Sequence, residues 1–152
     1  MVISRLNLNK IGESLALIVK FLEKLKKLSR MPKKEFLSDE RNPASVESFL
    51  RRCLEAIFDI GRHILVKGYS FKSLEYKEVS QELGDKGVIS PGYAEILIKM
   101  AGYRNRMVHL YKEISDEELY DIITKDLNDI ERFLVEIQGF LERYKQTITD
   151  IS

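Results

Sequence analysis

The sequence predicts an all-α protein, an up-and-down bundle of about five helices with three of them long. Three observations carry that prediction. Apolar residues recur at spacings of three and four along most of the chain, the period of one helix face. No stretch reads as a strand long enough to build a sheet. Only eight glycines and three prolines occur in 152 residues, and the last proline is Pro91, so loops are few. With 44% apolar and 32% charged residues, the chain is neither a disordered tail nor a membrane protein. Its length suits one domain over residues 1–152, with a core that needs no disulfide staples.

The first helix carries the stripe Leu8, Ile11, Leu15, Ile18, Leu22 and Leu25. It should end near Ser29–Met31, because Pro32 cannot continue it. Residues 32–41 are polar and charged and read as a loop. Asn42-Pro43 should start the second helix, with Asn42 capping free N–H groups and Pro43 at the first helical position. Val46, Phe49, Cys53, Ile57, Ile60 and Ile64 follow, and Leu50, Leu54 and Leu65 widen the stripe, so this helix should be central. Gly68 is placed to end it as a left-handed cap. A shorter third helix spans Leu74–Leu83 and stops at Gly84; Gly87 marks a turn with Val88-Ile89 beneath it. Ser90-Pro91 repeats the cap-plus-proline start, and Ala94, Leu97, Ile98 and Ala101 form the buried face of the fourth helix. The final helix opens at Ser115-Asp116-Glu117-Glu118, where Ser115 and Glu118 have capping-box spacing and Ile114 can staple onto Leu119. Its three early acids suit the positive end of the helix dipole. Leu119, Ile123, Leu127, Ile130, Leu134, Ile137 and Leu141 then give one stripe of about six turns.

The 25 Lys+Arg nearly cancel the 24 Asp+Glu, leaving a net charge of +1 that argues against a protein coating nucleic acid through bulk charge. The average hides a gradient. Residues 1–36 hold nine Lys/Arg against three Glu, residues 37–112 twelve against ten, and residues 113–152 four against eleven. Two readings follow: helix faces that attract one another within a bundle, or a local anion site concealed by the average. The single Cys53 excludes an internal disulfide and sits on an apolar stripe, as a core residue would. With only His63 and His109 beside it, the supply is too thin for a structural zinc site, and neither metal nor cofactor is expected. The apolar stretch Leu15–Val19 is cut by Lys20, too short for a secretory signal. No run approaches the ~18–20 apolar residues of a spanning helix, so the expected setting is soluble and cytoplasmic, away from membranes.

Chemistry concentrates between Tyr103 and Tyr111, inside a stretch from Lys99 to Lys112 that carries Lys99, Arg104, Arg106 and Lys112, has no acid and surrounds the only late histidine. This combination suggests cleavage of an RNA phosphodiester without a metal. A ribose 2′-hydroxyl attacks its own phosphate once a base takes its proton, and an imidazole titrating near ~6.5 suits that exchange. A guanidinium can grip the phosphate through two N–H groups and stabilise charge developing on its oxygens. Arg104 and His109 supply one of each, and Asn105 can hydrogen-bond the phosphate or orient a neighbour. On an ideal helix, five residues leave Arg104 and His109 roughly 140° apart. Either the helix deforms before His109, or two copies of the chain assemble the site. One histidine and one arginine per copy favour the second option, since cleavage benefits from both an acid and a base.

The run Arg104-Asn105-Arg106-Met107-Val108-His109-Leu110-Tyr111 has the form R-N-x3-H-x-Y. It resembles the signature of the HepT-like ribonuclease toxins, a branch of the HEPN superfamily. The likeness extends to Ala56–Ile64, Tyr76–Val79, Leu83, Gly87–Ile89 and Leu97–Tyr103, covering about residues 42–141 in order. The resemblance implies a HEPN-like five-helix bundle that forms a homodimer, with the two motifs meeting at a cleft. It implies a metal-independent endoribonuclease, the toxin half of a type VII toxin–antitoxin pair. It implies a partner as well, a small MntA-type nucleotidyltransferase, usually encoded next door, that silences the toxin by moving AMP onto the motif tyrosine. Carried onto this chain, Arg104 and His109 are the catalytic pair, Asn105 assists, and Tyr111 accepts AMP. The family pattern favours Asp59 as a supporting carboxylate near the cleft, and the acid-free stretch itself makes Arg106, Lys99 and Lys112 candidate phosphate or RNA contacts. Residues 1–36 are the least matched part.

Plainer roles stand beside these. Arg104 suits a pair with the acidic final helix, worth ~0–1 kcal/mol at a surface. Asp59 and His63 lie one turn apart and suit a pair worth about 0.2–0.5 kcal/mol. The competing function is a non-catalytic helical module that partners a nucleotidyltransferase.

Overall fold

The apolar stripes fold as helices in a computed structural model, which describes residues 6–109 and 114–151, the last five by their backbone alone. Seven α-helices occur among the described residues, with no strand: α1 (Leu8–Ser29), α2 (Lys33–Leu37), α3 (Arg41–His63), α4 (Tyr76–Asp85), α5 (Pro91–Val108), α6 (Asp116–Lys125) and α7 (Leu127–Ile151). The all-α bundle is as predicted, but five helices have become seven.

The first addition is α2, within the stretch read as a loop. Phe36 is its one buried side chain, and the ring lies 5.0 Å from that of Tyr120. A five-residue helix with one anchor has no period to detect. Its presence moves the start of α3 back to Arg41, whose N–H donates to Asp39 at 3.0 Å. Asn42 therefore does not cap; its amide donates to the Phe36 carbonyl at 3.3 Å. Pro43 lies buried in the first turn, where its missing N–H costs nothing. The second addition comes from a break at Asp126 in the predicted final helix, which separates α6 from α7.

Cap details differ in the same way. Gly68 is not left-handed. The helix continues past α3 as a π-helical turn, Ile64–Gly68, and the positive φ falls on Ser70 at 61°. Gly87 does make the expected turn, with φ 71°, over buried Val88 and Ile89. The third helix starts at Tyr76 rather than Leu74, closed by a capping box between Glu75 and Glu78. Ser90 spends its hydroxyl on Glu136 of α7, at 2.6 Å, instead of on its own helix. Ser115 accepts the Glu118 N–H at 3.2 Å, as its spacing predicts.

Helix α3 is central and packs against α1, α2, α4, α5 and α6. It runs antiparallel to α1: Asn7 meets His63 at one end, and Phe21 stacks on Phe49 nearer the other. Helix α7 is antiparallel to α5, through Ser90–Glu136, Tyr93 to the Asp129 carbonyl, and Tyr103–Asp126. Ile11, Ile18, Leu25, Leu50, Ile57, Leu97, Phe133 and Ile137 fill the space between. Cys53 is buried among them, and burial pushes its thiol up to about 12, so it has no thiolate chemistry at neutral pH. The basic first helix and the acidic last one meet through Lys26 and Glu131. Gly61 lets α4 approach α3: a Cβ there would stand 2.8 Å from Val79 Cγ1. No helix among the described residues is long and apolar enough to cross a membrane.

Candidate active site

The end of α5 decides the site. The helix stops at Val108, and His109 leaves it with extended backbone, φ −94° and ψ 117°, while its N–H still donates to the Asn105 carbonyl at 3.2 Å. That bond keeps His109 at the last helical position, five steps on from Arg104, whose long side chain reaches across to the Tyr76 ring. Arg104, Asn105 and His109 now line one open cleft of about 410 Å³ within a single chain. The three side chains thus share a cleft on one chain.

The opposite wall comes from the end of α3 and the start of α4. Arg62, Leu74, Glu75, Tyr76 and Lys77 complete the lining. Tyr76 organises it. Its ring packs on buried Phe58, with centroids 4.9 Å apart, and carries the Arg104 guanidinium 4.1 Å from its own centroid. Arg62 lies 5.0 Å from the same centroid and donates to the Leu74 carbonyl at 3.0 Å. Both guanidiniums are thus held by a π face rather than by a carboxylate. Arg104 has no ion pair among the described residues, and its buried Nε has no hydrogen-bond partner there. Among the described residues, the lining holds three cations, Arg62, Lys77 and Arg104, against the single carboxylate of Glu75. A cleft of that charge suits an anion, and His109 at its edge is exposed.

The remaining expected residues lie elsewhere. Lys99 is turned to Asp126, with Nζ 3.3 Å from Oδ2, and Tyr103 donates to the same oxygen at 3.0 Å. Arg106 makes a bidentate pair with Glu118, at 2.5 and 2.7 Å, which raises its pKa and lowers that of the carboxyl. Neither lines the cleft. The acids of α6 and of the α6–α7 junction thus take Lys99 and Arg106 and leave Arg104. Asp59 lines a neighbouring cavity whose only shared residue with the cleft is Arg62. His63 does not turn to Asp59; its Nε2 accepts the Asn7 N–H at 3.0 Å. Tyr111 and Lys112 lie outside the described residues. Sequence reasoning assigned Arg62, Tyr76 and Lys77 no role. The available signal was an aromatic beside a base, Tyr76-Lys77, on a segment already inside the family likeness.

Fold and cleft together define an all-helical domain with a basic, aromatic-backed anion cleft that carries one histidine. The chain belongs to the ribonuclease HepT-like family, whose model matches residues 18–137. It is 31% identical over 127 residues to the tRNA nuclease HepT of Aphanizomenon flos-aquae, covering 84% of this chain and 86% of that one. It is 29% identical over 100 residues to the mRNA nuclease HepT of Shewanella oneidensis, covering 66% and 75%. Among solved structures, the tri-AMPylated Shewanella oneidensis HEPN toxin in complex with MNT antitoxin matches with TM-score 0.77 and 25% identity, over 86% of this chain and 97% of that one. YutE of Bacillus subtilis, a cytosolic protein of unknown function, matches with TM-score 0.78 over 91% and 93%; at 20% identity it speaks to the fold alone.

Proposed function

We propose that this chain is a metal-independent endoribonuclease toxin of a type VII toxin–antitoxin pair. The observation that carries this reading is the common lining of one cleft by Arg104, Asn105 and His109. His109 takes the proton from a ribose 2′-hydroxyl. The freed oxygen attacks the adjacent phosphorus, and the 5′-oxygen of the next nucleotide leaves. Arg104 grips the non-bridging oxygens as negative charge gathers on them, and Asn105 adds a hydrogen bond. The departing oxygen needs a proton, which the second histidine of a homodimer provides. The cleft's donor set favours a metal-free route, because cations stand where a divalent metal site would place carboxylates.

RNA as substrate is supported by the tRNA and mRNA nucleases among the relatives. A nucleotidyltransferase partner of the MntA type is supported by the toxin structure that holds an MNT antitoxin. Tyr111, two residues beyond His109 in the sequence, is the AMP acceptor in this reading. The setting is the cytoplasm, where RNA and such a partner meet.

The test is cleavage of RNA by purified protein in the presence of chelator. Wild type should cleave, and His109→Ala should lower the rate by about 100-fold or more. Equal rates for the two proteins would overturn the reading.

A further inference from the structure

Arg62 separates two cavities and lines both. The first is the cleft. The second, about 350 Å³, is bounded by Lys10 and Ser14 of α1, Asp59, Arg62 and His63 of α3, and Lys67 of the π-helical turn. Among the described residues, three cations therefore face one carboxylate again. None of Lys10, Arg62 and Lys67 has an ion pair among the described residues, whereas Lys26, Lys99, Arg106 and Arg132 each have one. The cavity is also fixed in shape. The Asn7 N–H donates to His63 Nε2 at 3.0 Å, which ties the start of α1 to the end of α3 and holds Lys10 on the same side as Lys67. His63 registers the resulting field: burial lowers its pKa first, and Lys10 and Lys67 lower it further. The ring stays neutral, as an acceptor of the Asn7 N–H must be.

A second unpaired basic cavity reached across a shared arginine is what a chain of regularly spaced phosphates requires. A small phosphorylated substrate would fill the cleft alone. We infer that this cavity is a phosphate subsite for a nucleotide flanking the scissile one on single-stranded RNA, with Lys10, Arg62 and Lys67 as its cations. The inference rests on reading the cleft as an RNA-cleaving site. Arg62 would sit between successive phosphates, leaving Lys10 and Lys67 to hold the outer one. Asp59 cannot face a phosphate; it accepts from a ribose 2′-hydroxyl or a base amino group, donors that an RNA strand carries beside each phosphate. Lys10 and Ser14 come from the part of the sequence with the least family likeness, so this contact would belong to this chain's own choice of RNA.

The experiment measures binding by the full chain carrying His109→Ala, so that the RNA stays intact. The probes are a fluorescent single-stranded RNA of about twelve nucleotides and a dinucleotide with one phosphodiester. Adding Lys10→Ala and Lys67→Ala should weaken the longer RNA about tenfold at ~0.1 M salt and lower the slope of log Kd against log salt by roughly 1. Dinucleotide affinity should stay the same. Lys10→Arg with Lys67→Arg should restore binding of the longer RNA. Unchanged binding of the longer RNA, or an equal loss for both probes, would overturn the subsite. Failure of wild type to cleave RNA would count against the cleft alone, because this assay reads binding without chemistry.

Discussion

Arg104 is unusual in what surrounds it. A half-buried guanidinium ordinarily finds a carboxylate, yet this one rests on the Tyr76 ring at 4.1 Å, and its buried Nε has no hydrogen-bond partner among the described residues. A π face fixes the position of a cation without neutralising it. A carboxylate would also fix it, but would compete with a phosphate for the same N–H groups. Tyr76 is therefore a positioning residue in the proposed reaction, and the ring is the part that matters. Tyr76→Leu should lower kcat by roughly 3–30-fold, the range of a cation–π contact of about 0.5–2 kcal/mol. Tyr76→Phe should recover most of that loss. Steady-state cleavage by both variants checks the point. Loss in both would move the role to the phenol hydroxyl, and a change confined to KM would make Tyr76 a substrate contact. The sequence revealed the residues of the Arg104–Tyr111 run but not this wall. Arg62 and Tyr76 stand 42 and 28 positions before Arg104, and only the antiparallel path of α4 against α5 brings Tyr76 under it.

At the scale of elements, periodicity located the apolar faces and missed the ends. Leu119, Ile123, Leu127 and Ile130 keep helical phase straight through Asp126, because a break of one residue leaves the stripe in register. What marks the break is tertiary: Lys99 and Tyr103 of α5 hold the Asp126 carboxylate. The same limit applied to Asn42 and Ser90, whose side chains suit caps but are drawn to Phe36 and Glu136 by packing. Glycine placement gives this scale its prediction. Gly12 lies on the exposed face of α1, where an added methyl would meet nothing within 4 Å, whereas at Gly61 a methyl would meet Val79 and Leu83 at 2.8 and 2.9 Å. Gly12→Ala should stabilise by about 0.5–1 kcal/mol through helix propensity. Gly61→Ala gains the same propensity but overpacks the α3–α4 contact at a cost of ~1–3 kcal/mol, for a net loss near ~1 kcal/mol. Thermal unfolding should move up for the first and down by roughly 2–4 °C for the second. Shifts of the same sign would mean that α4 does not press on Gly61.

For the whole molecule, the charge average and the charge map say different things. Read along the chain, Lys99–Lys112 is an acid-free patch. In space, Glu118 and Asp126 neutralise two of its cations and leave Arg104, in the cleft, without an ion pair among the described residues. An enzyme that grips one phosphate needs no net charge beyond that, which is why a chain of +1 is compatible with RNA chemistry. What a single cleft does not supply is a second histidine: it has His109, and His63 lines the neighbouring cavity, while proton removal and proton return ask for two. The proposed homodimer answers this if two clefts face one another across a two-fold axis, each lending its His109 to a shared phosphate. The consequence is quantitative. Mix wild type with an equal amount of His109→Ala and let the subunits reassort. If each active centre needs both histidines, only pairs of two wild-type chains cleave, roughly a quarter of all dimers, and activity per wild-type chain falls to about half. If each chain is self-sufficient, activity per wild-type chain does not change. Cleavage rates across a series of mixing ratios separate a quadratic from a linear dependence on the wild-type fraction, and a linear result would confine the chemistry to the cleft of one chain.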